Sequence, residues 1–189
     1  MDEKIKKAME TTLHPDEKVV WESGTMPFKI LDGREGKQTL LQWVLSAVCI
    51  LGLLGVIAAY GNFTATVVGL LIILLAILLV SPVLSYRATQ GQRYYITNER
   101  ALLAKPDGTV YAIDRDDVDG CKLMKLQPHG VALVVGSTLY DEGDRQLRWR
   151  ALHPKLGHTA KSYEGLTQAE GLVFYNIERA DEAARLLGA

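Results

Sequence analysis

TLLQWVLSAVCILGLLGVIAAY (residues 39–60) and TATVVGLLIILLAILLVSPVLSY (residues 64–86), separated by GNF, decide how the rest of this chain is read. No Asp, Glu, Lys, Arg or His occurs from Gln38 to Tyr86. One apolar helix of about 20 residues crosses a bilayer core of roughly 30 Å. The stretch holds two such lengths, Leu40–Tyr60 and Phe63–Tyr86, with a glycine–asparagine break between them. It reads as a transmembrane helical hairpin over residues 39–86. Residues 1–38 are too short for a core of their own and are expected to pack on the tail domain or the membrane. The tail, residues 87–189, has the size of one small domain.

The averages conceal this division. With 48% apolar and 23% charged residues the 189-residue chain resembles an ordinary globular protein, yet its apolar residues are concentrated in the hairpin. The net charge is −1, so there is no basic excess of the kind that marks a nucleic-acid surface. Cys49 lies in the first span and Cys121 in the tail, which argues against a disulfide. No CxxC or zinc-type Cys/His spacing occurs. The composition suits a reducing compartment. The apolar run begins near residue 40 behind a charged segment, which points to a retained anchor rather than a signal peptide.

Cationic flanks set the expected orientation. Lys29, Arg34 and Lys37 precede the first span, Arg87, Arg93, Arg100 and Lys105 follow the second, and the connecting loop has none. By the positive-inside bias both termini are expected on the cytoplasmic side of a multi-pass protein. Trp43, Tyr60 and Tyr86 stand near the span ends, as interface aromatics do. Ser46, Cys49, Gly52, Gly55 and Ala58 recur every three residues in the first span, and Gly69 lies in the second. Small residues let membrane helices approach closely; here they serve either to pack the two spans together or to receive a partner's helix. Pro82 is a candidate kink. The lack of ionisable groups at membrane depth argues against transport by this chain alone.

Outside the hairpin, Met1–Thr12 reads as a solvated helix or frayed terminus with Ile5 and Met9 four apart. Val19–Trp21 is a short strand candidate. Trp21 is either a core anchor or an interface indole, and its distance from the apolar run favours the core. After Tyr86 the pattern turns to period two. Arg93–Thr97, Arg100–Ala104 and Val110–Ile113 read as strands joined by Asn98-Glu99 and by Pro106-Asp107-Gly108. Asp114–Gly120 is an acidic loop or a single helical turn. Cys121–Leu126 pairs with Val131–Val135, and Leu139-Tyr140 with Leu147–Ala151. Leu152–Glu170 is polar and irregular; Leu172–Ile177 is a last strand and Glu178–Leu187 an amphipathic helix. Strands at about ten-residue spacing suggest a small antiparallel barrel or sandwich with a terminal helix over one end.

Tyr94-Tyr95-Ile96-Thr97-Asn98-Glu99-Arg100, directly after a membrane hairpin, resembles the signature of the bacterial pleckstrin-homology-like membrane proteins. Leu13–Trp21 (LHPDEKVVW) with Pro27 beyond it resembles the family's N-terminal segment, Ile113–Val118 its link after the third strand, and Leu172–Leu187 its closing strand and helix. Segment Leu152–Glu170 is an insert against that pattern. The resemblance implies a strongly bent seven-stranded barrel capped by a C-terminal helix, a bacterial inner membrane as its location, and a role in scaffolding, assembly or oligomerisation with no catalytic residues. Read physically, Tyr95, Ile96, Thr97, Asn98 and Arg100 build a hairpin: Asn tolerates positive φ, and Thr and Asn side chains bond turn backbone. Arg100 is expected to pair with a carboxylate such as Asp116 or Asp117.

Other constellations are weaker. His153 and His158 do not share a helix face and lack a completing carboxylate. Asp114, Asp116, Asp117 and Asp119 lack EF-hand spacing. No phosphate loop or nucleophile elbow occurs. The expectation is therefore no enzyme, no metal and no cofactor. Arg145, Arg148 and Arg150 lie on or near one strand, the last two on one face, either as an ordinary solvated face or facing anionic lipid. The leading reading is a non-enzymatic scaffold or accessory subunit that binds a membrane protein partner or its own copies. Its alternative is a module for anionic lipid headgroups.

Overall fold

A computed structural model describes residues 2–31, 33–61, 64–126, 129–136, 144–157, 162–163 and 165–188. The chain separates into two compact units, one made of Met1–Phe28 with Ala88–Ala189, the other of Lys29–Arg87.

Lys29–Arg87 holds the greater part of two long helices, α2 (Gly33–Ala59) and α3 (Ala65–Gln90). At 27 and 26 residues each is about 40 Å long, enough for a bilayer core of roughly 30 Å. Only 6% of each apolar window is buried. A core helix of a soluble protein would be mostly covered, so this open apolar surface supports a membrane location. The shielded positions recur in steps of four and three: Trp43, Ala47, Ile50, Leu54 and Ile57 on α2, and Leu71, Leu75, Leu78, Pro82 and Ser85 on α3. That is the seam spacing of helices lying side by side. α3 runs through Pro82 as one helix.

The other unit is a β domain with three helices. In a six-stranded sheet, β1 (Val19–Gly24), β2 (Arg93–Thr97), β3 (Arg100–Ala104), β4 (Val110–Asp114), β8 (Leu166–Gln168) and β7 (Ser162–Tyr163) are neighbours in that order. All its pairings are antiparallel except β4 with β8. A three-stranded antiparallel sheet runs β5 (Cys121–Lys125), β6 (Val131–Gly136), β9 (Gly171–Phe174). Period-two alternation sorts the side chains into layers. Trp21, Tyr94, Ile96, Ala101, Leu103 and Ile113 from one sheet meet Leu133, Val135, Leu172 and Phe174 from the other. Ala180, Ala183 and Ala184 of the last helix, α5 (Ala180–Leu186), join that core.

Each sheet is also covered on its outer side. Leu102, Ala104, Val110 and Ala112 face Ile5 and Met9 of α1 (Asp2–Thr12). α1 is thus a packed amphipathic helix rather than a solvated or frayed one. Ala132, Val134 and Val173 meet Leu147 and Ala151 of α4 (Asp144–Leu152). The expected strand Leu147–Ala151 is therefore a helix, and its proposed partner Leu139-Tyr140 lies outside the described residues. Leu147 and Ala151, four apart, share a face in a strand and in a helix alike, but only the helix turns Trp149 away from it. The segment expected to be irregular carries the short strands β7 and β8, and the acidic link holds one 3-10 turn, Arg115–Asp117. Trp21 is 3% exposed and stacks parallel to Phe174, as a core residue.

Candidate functional site

The residues that carry the family resemblance converge on the tip of the β2–β3 hairpin. Register Ile96 opposite Ala101 leaves Asn98-Glu99 as the tip. Thr97 organises it. Its Oγ1 accepts from the backbone N–H of Arg100 at 2.8 Å and of Glu99 at 3.2 Å, and donates to Glu17 Oε1 at 2.7 Å. Asn98 does not adopt a positive φ; among the described residues only Asn176 and Arg179 do so without being glycine. Its work is instead a reciprocal pair, Lys18 N–H to Asn98 Oδ1 at 2.7 Å and Asn98 N–H to Lys18 O at 3.2 Å.

Arg100 does not pair with Asp116 or Asp117. Its guanidinium reaches Glu17, with Nε donating to Oε1 at 3.1 Å and Nη2 bonded to Oε2. Nη2 also donates to Thr12 O at 3.1 Å. The backbone N–H of His14 donates to Glu17 Oε2 at 3.1 Å. Every polar atom of the Glu17 carboxylate is thereby satisfied in a site from which water is excluded, the condition under which a buried ion pair is tolerated. Burial, the largest single influence, pushes the Glu17 carboxyl up. The hydrogen bonds from Arg100, Thr97 and the His14 backbone, with the charge of Arg100, outweigh it and hold the group below its ordinary value. The segment before the membrane hairpin is therefore tied to the first strands after it.

His14, Glu17 and Glu99 bring their ligand atoms within 4.8 Å of one another, with His14 Nδ1 at 2.9 Å from Glu99 Oε2. Both Glu17 oxygens already face the Arg100 cation, so of the trio only His14 and Glu99 could turn to a metal ion, fewer protein ligands than a zinc site uses.

Of the other motif residues, Ile96 is fully buried in the main core and Tyr95 packs on the opposite face beside Ile5 and Met9. A second knot joins the ends of the domain that border the hairpin. The Tyr94 hydroxyl lies 2.9 Å from Thr25 Oγ1, donates to Gln92 Oε1 at 2.9 Å, and is fully buried. Burial pushes it up to about 12, against its hydrogen bonds with the Thr25 hydroxyl and the Tyr175 carbonyl.

The basic candidates are spread around α4 rather than aligned on a strand. The Arg148 guanidinium lies 5.3 Å from the Phe28 ring centre, and that of Arg150 5.0 Å from the ring of Trp149. Arg145 sits in the first turn of α4. In the membrane helices, Cys49, Gly52, Gly55 and Ala58 are exposed, and Ser46 and Gly69 are half-buried. A Cβ built at Gly52, Gly55 or Gly69 meets nothing within 4 Å.

Sequence reading missed Glu17, His14 and Glu99 as members of the hairpin site. Glu17 stands inside the LHPDEKVVW run, but nothing local couples it to an arginine 83 positions away. No family model, no curated protein and no solved structure matches the chain.

Proposed function

We propose that this chain is a multi-pass inner-membrane protein with both termini cytoplasmic. In this reading its pleckstrin-homology-like domain acts, without enzymatic chemistry, as a scaffold or accessory subunit for a membrane protein partner or for its own copies. Lys29, Arg34 and Lys37 before the hairpin and Arg87 and Arg93 after it, against an uncharged tip, support the orientation. The strand order supports the domain type. Without β7 and β8, which fall in the insert, seven strands remain, and a closing strand is followed by a helix as the resemblance implies. The motif polar groups bond one another within the domain, which suits a structural signature.

The observation that carries the partner reading is the position of the small residues. The shielded seam of α2 runs through Trp43, Ala47, Ile50, Leu54 and Ile57, while Cys49, Gly52, Gly55 and Ala58 fall outside it and open outward. Glycines there do not serve the approach of α3. They leave a groove for another helix backbone, and close backbone approach is what associates helices in lipid.

Cys49, on the same stripe, is a native probe. In the Cys121→Ser background, oxidation in native membranes is expected to give a Cys49-linked dimer or a cross-link to one membrane partner. Gly52→Leu with Gly55→Leu should abolish it. A protein that stays monomeric in native nanodiscs, with no stable co-purifying protein, would refute the proposal.

A further inference from the structure

Thr25–Phe28 leads into the apolar hairpin and Thr89–Gln92 leads out of it, and the two runs are sewn together. Thr25 Oγ1 donates to Thr89 O at 2.9 Å and Gln90 Nε2 to Phe28 O at 3.0 Å. Helix α4 is fastened to this same strap. Gln92 Nε2 donates to Ala151 O at 2.7 Å, Arg148 covers the Phe28 ring, and Phe28 packs against the cluster of Leu147 and Ala151. Phe28 precedes the start of α2 at Gly33 by a few residues, so chain reach alone keeps it within roughly 17 Å of that helix. Covalent connection thus confines α4 to the margin of its domain from which both membrane segments depart.

The side of α4 away from Leu147 and Ala151 carries Trp149, 53% exposed, with Arg150 against its ring and His153 stacked at 4.8 Å. A large exposed indole is unfavourable in water and favoured at headgroup depth. The guanidinium beside that indole suits phosphate oxygens, which Arg binds through its planar fork. We infer that α4 is an interfacial helix whose Trp149 enters the headgroup layer while Arg150 takes the phosphate of an anionic phospholipid. Lys155 is not counted, because its ammonium lies 3.5 Å from Glu170.

This inference rests on the membrane-spanning part of the preceding reading and not on its partner. The test uses the full chain in nanodiscs whose lipids carry brominated acyl chains, either phosphatidylcholine alone or mixed with phosphatidylglycerol. The emission lost in Trp149→Phe isolates that indole from Trp21 and Trp43. It should be quenched in mixed discs and more weakly in phosphatidylcholine, and Arg150→Gln should reduce the lipid contact in mixed discs roughly fivefold. Without any substitution, hydrogen exchange of residues 144–152 should be slower in mixed discs. Equal quenching and exchange in both lipids would overturn the headgroup recognition, and no quenching in either would overturn lipid contact altogether. A chain that never enters the discs would overturn the hairpin reading with it, so the two failures are distinct.

Discussion

The Glu17 carboxylate and the Arg100 guanidinium close on each other across 83 positions of sequence, with side chains 0% and 6% exposed. The whole membrane hairpin is threaded between them. The pair therefore does more than fill a buried site: it makes the residues before and after the hairpin into one folded unit. A buried ion pair is a weak source of net stability, because desolvation cancels much of the attraction. Its value here is register. Only one alignment of Thr12–Lys18 on the β2–β3 tip satisfies Thr97, Asn98 and Arg100 together.

Arg100→Gln should cost about 3–5 kcal/mol, because it strands a carboxylate that water cannot reach. Glu17→Gln with Arg100→Gln should cost less than the sum of the single changes, since the two groups interact directly. Denaturant unfolding of the full chain in mild detergent, followed by the circular dichroism of the β domain, measures both. Equal costs for the double variant and the summed singles would mean that the pair is not coupled.

Acid should loosen the same tie. The Glu17 carboxyl is held below its ordinary value of 4.5 in the folded chain, so the unfolded chain binds its proton first as pH falls. The stabilisation is complete above that value and is lost as pH drops through the lower folded value. The hydrogen-exchange protection factors of residues 93–104, corrected for the intrinsic pH dependence, should fall below about pH 4.5, and Glu17→Gln should flatten that acid limb.

At the other end of the scale, Tyr94 is a neutral hydroxyl kept from ionising, pushed up from 10.0 to about 12. Its contribution is fully present below pH 10.0 and disappears as pH rises through about 12. Tyr94→Phe should remove this alkaline limb. At neutral pH it should cost about 1–3 kcal/mol, the penalty for leaving Thr25 and Gln92 short of a partner in a buried site.

Gly136 closes β6 with φ +84, and a Cβ there would lie 2.4 Å from the Glu170 carbonyl oxygen and 2.5 Å from Ile113 Cδ1. Gly136→Ala combines left-handed strain with a backbone clash, so its cost should exceed the roughly 1 kcal/mol of a left-handed alanine alone. Gly108→Ala, at φ +94 with open space around it, should cost only that strain. Equal melting temperatures for the two variants would contradict the close approach of residue 170 to β6.

What the sequence made legible follows from how local each signal is. The hairpin needs only an unbroken apolar run, and β2–β4 need only strand formers between strong turns. Leu147-Arg148-Trp149-Arg150-Ala151 alternates like a strand, yet Leu147 and Ala151 also sit one helical turn apart. Val134 and Val173 decide for the helix by offering them a shared apolar face. Ile5 and Met9 have helical spacing in sequence, but their burial depends on an outer sheet face that no local pattern reveals. Glu17 has no neighbour that marks it as the partner of Arg100. The seam of α2 through Trp43, Ala47, Ile50, Leu54 and Ile57 likewise leaves Gly52 and Gly55 outside it, which no local pattern indicates.

Helix α1 offers a last measurement, because it covers the face of β3 and β4 that would otherwise be an apolar patch. Leu102, Ala104 and Val110 are fully buried there, and Ile5 and Met9 are the side chains that cover them. Ile5→Ala should cost about 2–5 kcal/mol by the cavity it leaves. The loss should fall on the N-terminal segment first, since among the described residues α1 meets the domain through this face and the Thr12 bond to Arg100. Limited proteolysis should therefore cut Ile5→Ala between residues 2 and 18 at protease levels that leave the wild type intact, while β6 and β9 stay protected. Cleavage that appears simultaneously in β6 and β9 would show instead that α1 and the two sheets unfold as one.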